Sequence, residues 1–202
     1  MSNTVLGPDG LPRCSWCGTV EEFFDYHDKE WGFPVAEDQR LFEKVCLESF
    51  QSGLSWRTIL AKRENLRAAF ARFDFNKVAE FGEQDVERLL QDKGIIRHRG
   101  KIEAVINNAK RAKEMVEQEG SIAAFMWRYE AKVDDSYIPQ SQTTSVESVA
   151  LSKELKKRGW KFVGPTTAYA FMQAMGLIND HELDCSIREK VTQARANFTV
   201  PK

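Results

Sequence analysis

The chain has 202 residues, 42% of them apolar, and a net charge of −1. That apolar content suffices for one domain with its own core, and no run approaches the roughly 18 apolar residues of a membrane span. The charge excludes a surface coated uniformly in base, but it leaves room for local basic patches.

Helical periodicity dominates and no stretch alternates convincingly with period two, so an all-α protein is expected. Residues 1–12 read as a flexible tail, polar and glycine- and proline-bearing, without the basic start or apolar core of a signal peptide. Cys14 and His27 come next, thirteen residues apart. With His181 and Cys185 near the other end they offer two thiolates and two imidazoles, the soft tetrahedral set that structural Zn2+ prefers. On a helix His181 and Cys185 would share one face. The reading is a zinc staple tying the N- and C-terminal segments together. Two alternatives stand beside it: Cys14 paired with Cys17 as a redox or disulfide couple, or Cys17 replacing one ligand. Four cysteines, two of them given to a metal, fit a reducing cytosol.

Trp16, Tyr26, Trp31 and Trp56 gather around the first ligand segment and the first long helix. Aromatics at this density usually mean core. Asp38 is placed to cap a helix that turns Leu41, Phe42, Val45 and Cys46 inward. Glu48 falls about 20° around that helix from Leu41, at the border of the apolar face. A charge there is either at the rim or partnered in a pocket, because an unpaired buried one costs too much. Gly53 then breaks the helix and displays Leu54 at a turn, as an ordinary exposed leucine or as a wedge for base steps.

A short amphipathic helix is predicted over 85–92 and a longer one over 101–117. Between them runs Gly94-Ile95-Ile96-Arg97-His98-Arg99-Gly100. Glycines at both edges suggest tight turns of positive φ, and the second lies just before a helix start whose N–H groups favour an anion. From Gly94 to Lys113 six basic residues face one acidic, and from Lys153 to Lys161 five face one. Such local fields bind phosphates, although most short basic runs are solvated helix faces. A polar loop is expected over 130–142, a capping box at Thr144 with Glu147, a helix starting at Gly164-Pro165 and ending near Gly176, and a loosely attached tail over 186–202.

The helix, glycine-edged hairpin and basic helix resemble the helix-hairpin-helix motif that grips a DNA backbone. The resemblance widens over Arg13-Cys14-Ser15-Trp16, Tyr26-His27-Asp28-Lys29-Glu30-Trp31-Gly32, Leu47-Glu48 with Gln51, Gly53-Leu54-Ser55-Trp56, the hairpin itself, Lys156-Lys157-Arg158-Gly159 with Lys161-Phe162-Val163-Gly164, and Asn179-Asp180-His181 with Cys185. Across residues 13–185 the chain resembles the bacterial DNA-3-methyladenine glycosylase I family of zinc-containing helix-hairpin-helix glycosylases. The resemblance implies one helical domain over 13–185, with room for two lobes, and a closed zinc site at Cys14, His27, His181 and Cys185. It implies that Glu48 and Tyr26 read the edge of a flipped base and carry the catalytic role, with Trp16 and Trp56 on its faces and Trp31 beside Glu48. Leu54, with Gln51 and Gly53, would fill the space the base leaves. Gly94, Arg97, Arg99, Gly100, Lys101 and Lys161 would hold the backbone of double-stranded DNA. Phe23 departs from a tyrosine expected in some relatives, and Cys17 receives no role. The activity implied is excision of 3-methyladenine from alkylated DNA by a cytosolic monomer that makes no use of a membrane. The rivals are a non-catalytic zinc-stapled DNA-binding module and, more weakly, a zinc hydrolase.

Overall fold

The computed structural model describes residues 3–18, 20–133 and 136–202. A short antiparallel pair, β1 (Thr4–Leu6) and β2 (Pro12–Cys14), opens the chain with Thr4 opposite Cys14. Ten α-helices follow among the described residues: α1 (Glu21–Lys29), α2 (Asp38–Gln51), α3 (Trp56–Ala69), α4 (Phe75–Val78), α5 (Glu83–Gln91), α6 (Arg99–Glu119), α7 (Ile122–Met126), α8 (Val146–Lys157), α9 (Pro165–Ala174) and α10 (Arg188–Ala196). The protein is therefore mostly helical, as expected. Both expected tails need correction. Described residues 3–12 form the hairpin that leads into Cys14. The C-terminal segment is anchored by buried Ile187 and Val191, and Phe198 packs on Trp127 at 4.5 Å.

Helix α2 is the centre of the molecule, in contact with α3, α6, α7 and α9. Every residue from Leu41 to Phe50 is buried. Full enclosure forces each polar side chain on it to find a partner. Glu43 pairs with Arg67 of α3 at 2.7 Å, Lys44 with Glu48 at 2.7 Å, and Ser49 donates to the carbonyls of Val45 and Phe162. Asp38 does not cap α2 as expected. Its carboxylate accepts from Ala123 N at 2.8 Å, fastening the start of α7.

The predicted boundaries of α5 and α6 hold to within about two residues. The turn between them is built differently from its glycine pattern. Neither Gly94 nor Gly100 has positive φ. Gly94 is small because a Cβ there would lie 3.0 Å from Asp92 Oδ1 and 3.1 Å from Asn65 Nδ2. Ile95 plugs the turn into the core, and His98 caps α6 by accepting from Lys101 N. The capping box expected at Thr144 forms one residue later, where Ser145 and Ser148 exchange hydroxyl-to-backbone bonds. Gly176 ends α9 with φ +80°, and its Cα side faces Pro34 so closely that a Cβ would lie 2.6 Å from that backbone. Helix α9 is thereby locked against the segment joining α1 to α2.

Candidate functional site

Cys14, His27, His181 and Cys185 converge, all buried, with their four ligand atoms within 4.8 Å of one another. The N–N edge is 3.1 Å, and three S–N edges, from Cys14 to His181 and from Cys185 to both rings, are 3.5–3.6 Å. A tetrahedral ion with bonds of 2.0–2.3 Å has edges of about 3.3–3.7 Å, so these four edges are close to those of such a shell. The surroundings fit as well. His27 Nδ1 meets Asp28 Oδ1 at 2.7 Å, Asp28 is held by Arg13, and His181 Nε2 meets the Trp31 carbonyl at 3.1 Å, which orients both rings for a metal. The hydrogen bond from Cys14 holds the Cys185 thiol far below its usual range, while the same bond and burial push Cys14 up. A divalent cation bound between them would allow both to ionise together.

Two expectations change here. His181 and Cys185 lie in a turn rather than on a helix, bridged by Cys185 N donating to Glu182 O at 3.0 Å. All four cysteines are free, so no Cys14–Cys17 disulfide exists. Cys17 is buried outside the cluster, its thiol pushed up to about 12 by burial and the nearby Asp28 charge.

Beside the metal cluster opens a cavity of about 550 Å³. Helix α1 brings Phe23 and Tyr26, α2 brings Glu48 and Gln51, and the start of α3 brings Trp56; Trp16 and Trp31 complete the near wall. Trp16 meets Trp31 edge-on at 5.2 Å and Tyr26 lies 5.2 Å from Trp56. Trp31 also packs on the ring of His181 at 4.6 Å, so the Cys/His cluster props the aromatic wall. Trp16 and Trp56 remain half-buried and face the cavity, whereas Glu48 is only 6% exposed. Phe23 takes its place in that wall against Trp16, 5.9 Å away, without a hydroxyl to offer.

The far wall escaped the sequence reading. Gln140, Thr166, Tyr169 and Gln173 line it. Gln140, Tyr169 and Gln173 share an anchor in buried Asp180, which accepts from Tyr137 at 2.5 Å, Gln140 N at 2.7 Å and Gln173 at 2.5 Å, while Tyr137 also meets the Tyr169 hydroxyl at 2.9 Å. The signal available in sequence was Asp180 itself, next to a metal ligand. Lys44 was missed too. It lies one turn before Glu48 and behind Tyr26 and Trp56.

Leu54 does not line the cavity; next to cavity-lining Ser55, it is 40% exposed on a turn closed by Leu54 N donating to Gln51 O at 2.6 Å, with Gly53 at φ +77°. The residues expected to hold a DNA backbone divide. Arg97 is exposed and without an ion pair among the described residues, and Lys161 is exposed. Arg99 is exposed but clamped on Glu83, Glu87 and Glu103. Lys101 requires correction. It is buried, and its ammonium donates to the carbonyls of Phe50 at 2.8 Å and Ser52 at 2.5 Å, so it ties the hairpin to the Leu54 turn instead of reaching for phosphate.

An indole-walled slot with one interior carboxylate admits a planar heterocycle presented edge-first. On a helical scaffold whose two ends meet in a buried Cys/His cluster, that fits an enzyme of the helical glycosylase class. Comparison with known proteins agrees. The methyladenine glycosylase family model matches residues 16–189. The chain is 49% identical over 179 residues to DNA-3-methyladenine glycosylase 1 of Escherichia coli, covering 87% of this chain and 96% of that one. It superposes on the 3-methyladenine DNA glycosylase I of Staphylococcus aureus with a TM-score of 0.82 at 36% identity, covering 87% and 96% of the two chains. It matches equally, over 87% and 97%, a Tyr→Phe variant of 3-methyladenine DNA glycosylase I in complex with 3-methyladenine. The chain belongs to the methyladenine glycosylase family and is an enzyme.

Proposed function

We propose that the protein excises 3-methyladenine from alkylated double-stranded DNA as a monofunctional glycosylase, acting as a monomer in the bacterial cytosol. The observation that carries this reading is Glu48, a carboxylate held inside a cavity walled by Trp16, Tyr26, Trp31 and Trp56. Among the described residues no helix is long and apolar enough to cross a membrane, and the E. coli and Haemophilus influenzae relatives carry the name of this activity.

The chemistry asks little of the protein. Methylation at N3 leaves the base positively charged in DNA. When the bond from the sugar C1′ to the base breaks, the electron pair goes to the base, which departs neutral. Water then adds to the electron-poor C1′ and gives up a proton. With the leaving group already activated, an additional acid is not required, and no aspartate occurs between Gly94 and Val133. Extrusion of the nucleotide costs a few kcal/mol, which a damaged base lowers. Exposed Leu54, next to the cavity-lining Ser55, supplies an apolar side chain to occupy the vacated stack. Indole faces attract a cationic ring by about 0.5–2 kcal/mol each. Glu48 accepts from the exocyclic amine, and burial together with the Glu48 charge keeps the Tyr26 hydroxyl protonated.

Cys14, His27, His181 and Cys185 would hold Zn2+, which with four protein ligands supplies cross-linking rather than chemistry. Incubating the protein with methylated duplex DNA and separating the released bases by chromatography tests the whole reading. Free 3-methyladenine with matching abasic sites is expected. Tight binding without release would favour the non-catalytic module.

A further inference from the structure

Lys44 has no part in the reading above, yet its ammonium touches three of the groups that make the cavity. Nζ lies 2.7 Å from Glu48 Oε1, 2.6 Å from Tyr26 Oη and 3.6 Å from the centre of the Trp56 ring. It is itself 4% exposed. The side chain does not line the base cavity. It lines a small space behind it, with Glu30, Arg40, Glu43, Arg63 and Arg67. There Arg63 forms a two-pronged pair with Glu30, and Arg67 takes Glu43, which leaves Lys44 as the partner of Glu48.

An ammonium has three N–H donors and no acceptor. Its three neighbours are therefore assigned without ambiguity: a carboxylate, a phenolic oxygen and an indole face, each receiving one. Two consequences follow for the cavity. Glu48, in a 2.7 Å pair with Lys44, is an acceptor fixed in place. The Tyr26 oxygen has spent an acceptor site on Lys44, so its own hydrogen is turned elsewhere and the hydroxyl presents itself as a donor. The ammonium also cancels the charge of Glu48 locally.

Resting on the assignment of Glu48 and Tyr26 as base readers, we propose that Lys44 is the positioning residue that sets purine specificity: it fixes the reading edge as one acceptor beside one donor. That pattern complements a 6-amino group next to a ring nitrogen, as in 3-methyladenine. It opposes the 6-keto oxygen of 3-methylguanine, which meets Glu48 acceptor to acceptor. Selection on this edge runs through hydrogen-bond pattern rather than net charge. Removing the ammonium leaves Glu48 and Tyr26 without the partner that fixes their orientation, which relaxes the discrimination.

The test uses duplex DNA methylated to carry both lesions and measures the two released bases together. Lys44→Met is expected to raise the 3-methylguanine to 3-methyladenine release ratio about tenfold, the scale of one hydrogen bond gained or lost, with thermal midpoint and zinc content confirming the fold. Lys44→Arg restores the wild-type ratio. The double variant K44M/E48Q gives the ratio of Glu48→Gln alone, because Lys44 acts through Glu48. Lys44→Gln, run in parallel, shifts the ratio in the same direction by about threefold and keeps the test open if the methionine variant does not fold. A folded Lys44→Met or Lys44→Gln protein with the wild-type ratio overturns the proposal, as do effects of Lys44→Met and Glu48→Gln that simply add. If Glu48→Gln itself leaves both release and ratio unchanged, the base-reading role of Glu48 fails and this proposal with it. Absence of any base release by the wild type rejects the glycosylase reading instead.

Discussion

Removing the metal probes how the two ends of the chain support the cavity. Cys14 and His181 are separated by 167 residues in sequence, and their ligand atoms are 3.6 Å apart. A cross-link closing a loop of that length restricts the unfolded chain by about 5 kcal/mol in the chain-entropy view. There is an electrostatic part as well. Two thiolates no more than 4.8 Å apart repel by about 3–4 kcal/mol at an effective dielectric of ~20, so the cluster cannot stay doubly ionised once the cation leaves. For a domain of this size each kcal/mol shifts the melting midpoint by roughly 2–4 °C. Chelation, or Cys185→Ala, is therefore expected to lower the midpoint by about 10–20 °C in a circular dichroism melt. Base release should survive at temperatures where the stripped protein is still folded, since the metal's contact with the cavity runs through the packing of Trp31 on His181. An unchanged midpoint would refute the staple. A folded, metal-free protein with the wild-type midpoint and no activity would show that the ion takes part in the chemistry.

Other perturbations separate neighbouring roles. Arg97→Ala should weaken binding to undamaged duplex and reduce the salt dependence of log K by about one unit of slope, as loss of one phosphate contact requires. Lys101→Met should leave that slope unchanged and lower base release, because it unties the Leu54 turn from the hairpin; a reduced slope would return Lys101 to the DNA surface. Asp28→Asn should cut metal affinity 10–100-fold in a competition titration, as the partner of His27 Nδ1 is weakened. The Asp28 carboxyl is also held below its ordinary range, burial being outweighed by hydrogen bonds from Arg13 and His27. A lowered carboxylate stabilises the fold above the unfolded pKa and ceases to do so as pH falls through the folded one. The stability lost by Asp28→Asn should therefore be plain at pH 7, begin to shrink as pH falls toward about 4, and vanish only in stronger acid, below the lowered folded-state pKa. Gly176→Ala should be severely destabilising, by more than about 3 kcal/mol in denaturant melts, because positive φ and the 2.6 Å approach to Pro34 act together.

Much of the site could be read along the chain because its residues are rare types in short, ordered groups. Two of three histidines and two of four cysteines announce a ligand set whatever the fold does with them, since few other arrangements satisfy both. Helix periods, the break at Gly53 and the proline start of α9 are local matters, decided within a turn or two of chain. The surroundings of Asp180, Lys101 and Lys44 were not local. Lys101 resembles any lysine of a basic helix until its ammonium is seen on carbonyls 49 and 51 residues away. Residues 186–202 looked unanchored because only a few apolar side chains, Ile187, Val191 and Phe198, hold them, and their partners lie far back in the chain. Sequence by itself determined the ligands, the helices and the aromatic inventory, because these follow from residue chemistry and near-neighbour spacing. Only the tertiary structure decided which charges are buried and with what they pair. That depends on the complete enclosure of α2, where each polar group must find a partner from elsewhere in the chain.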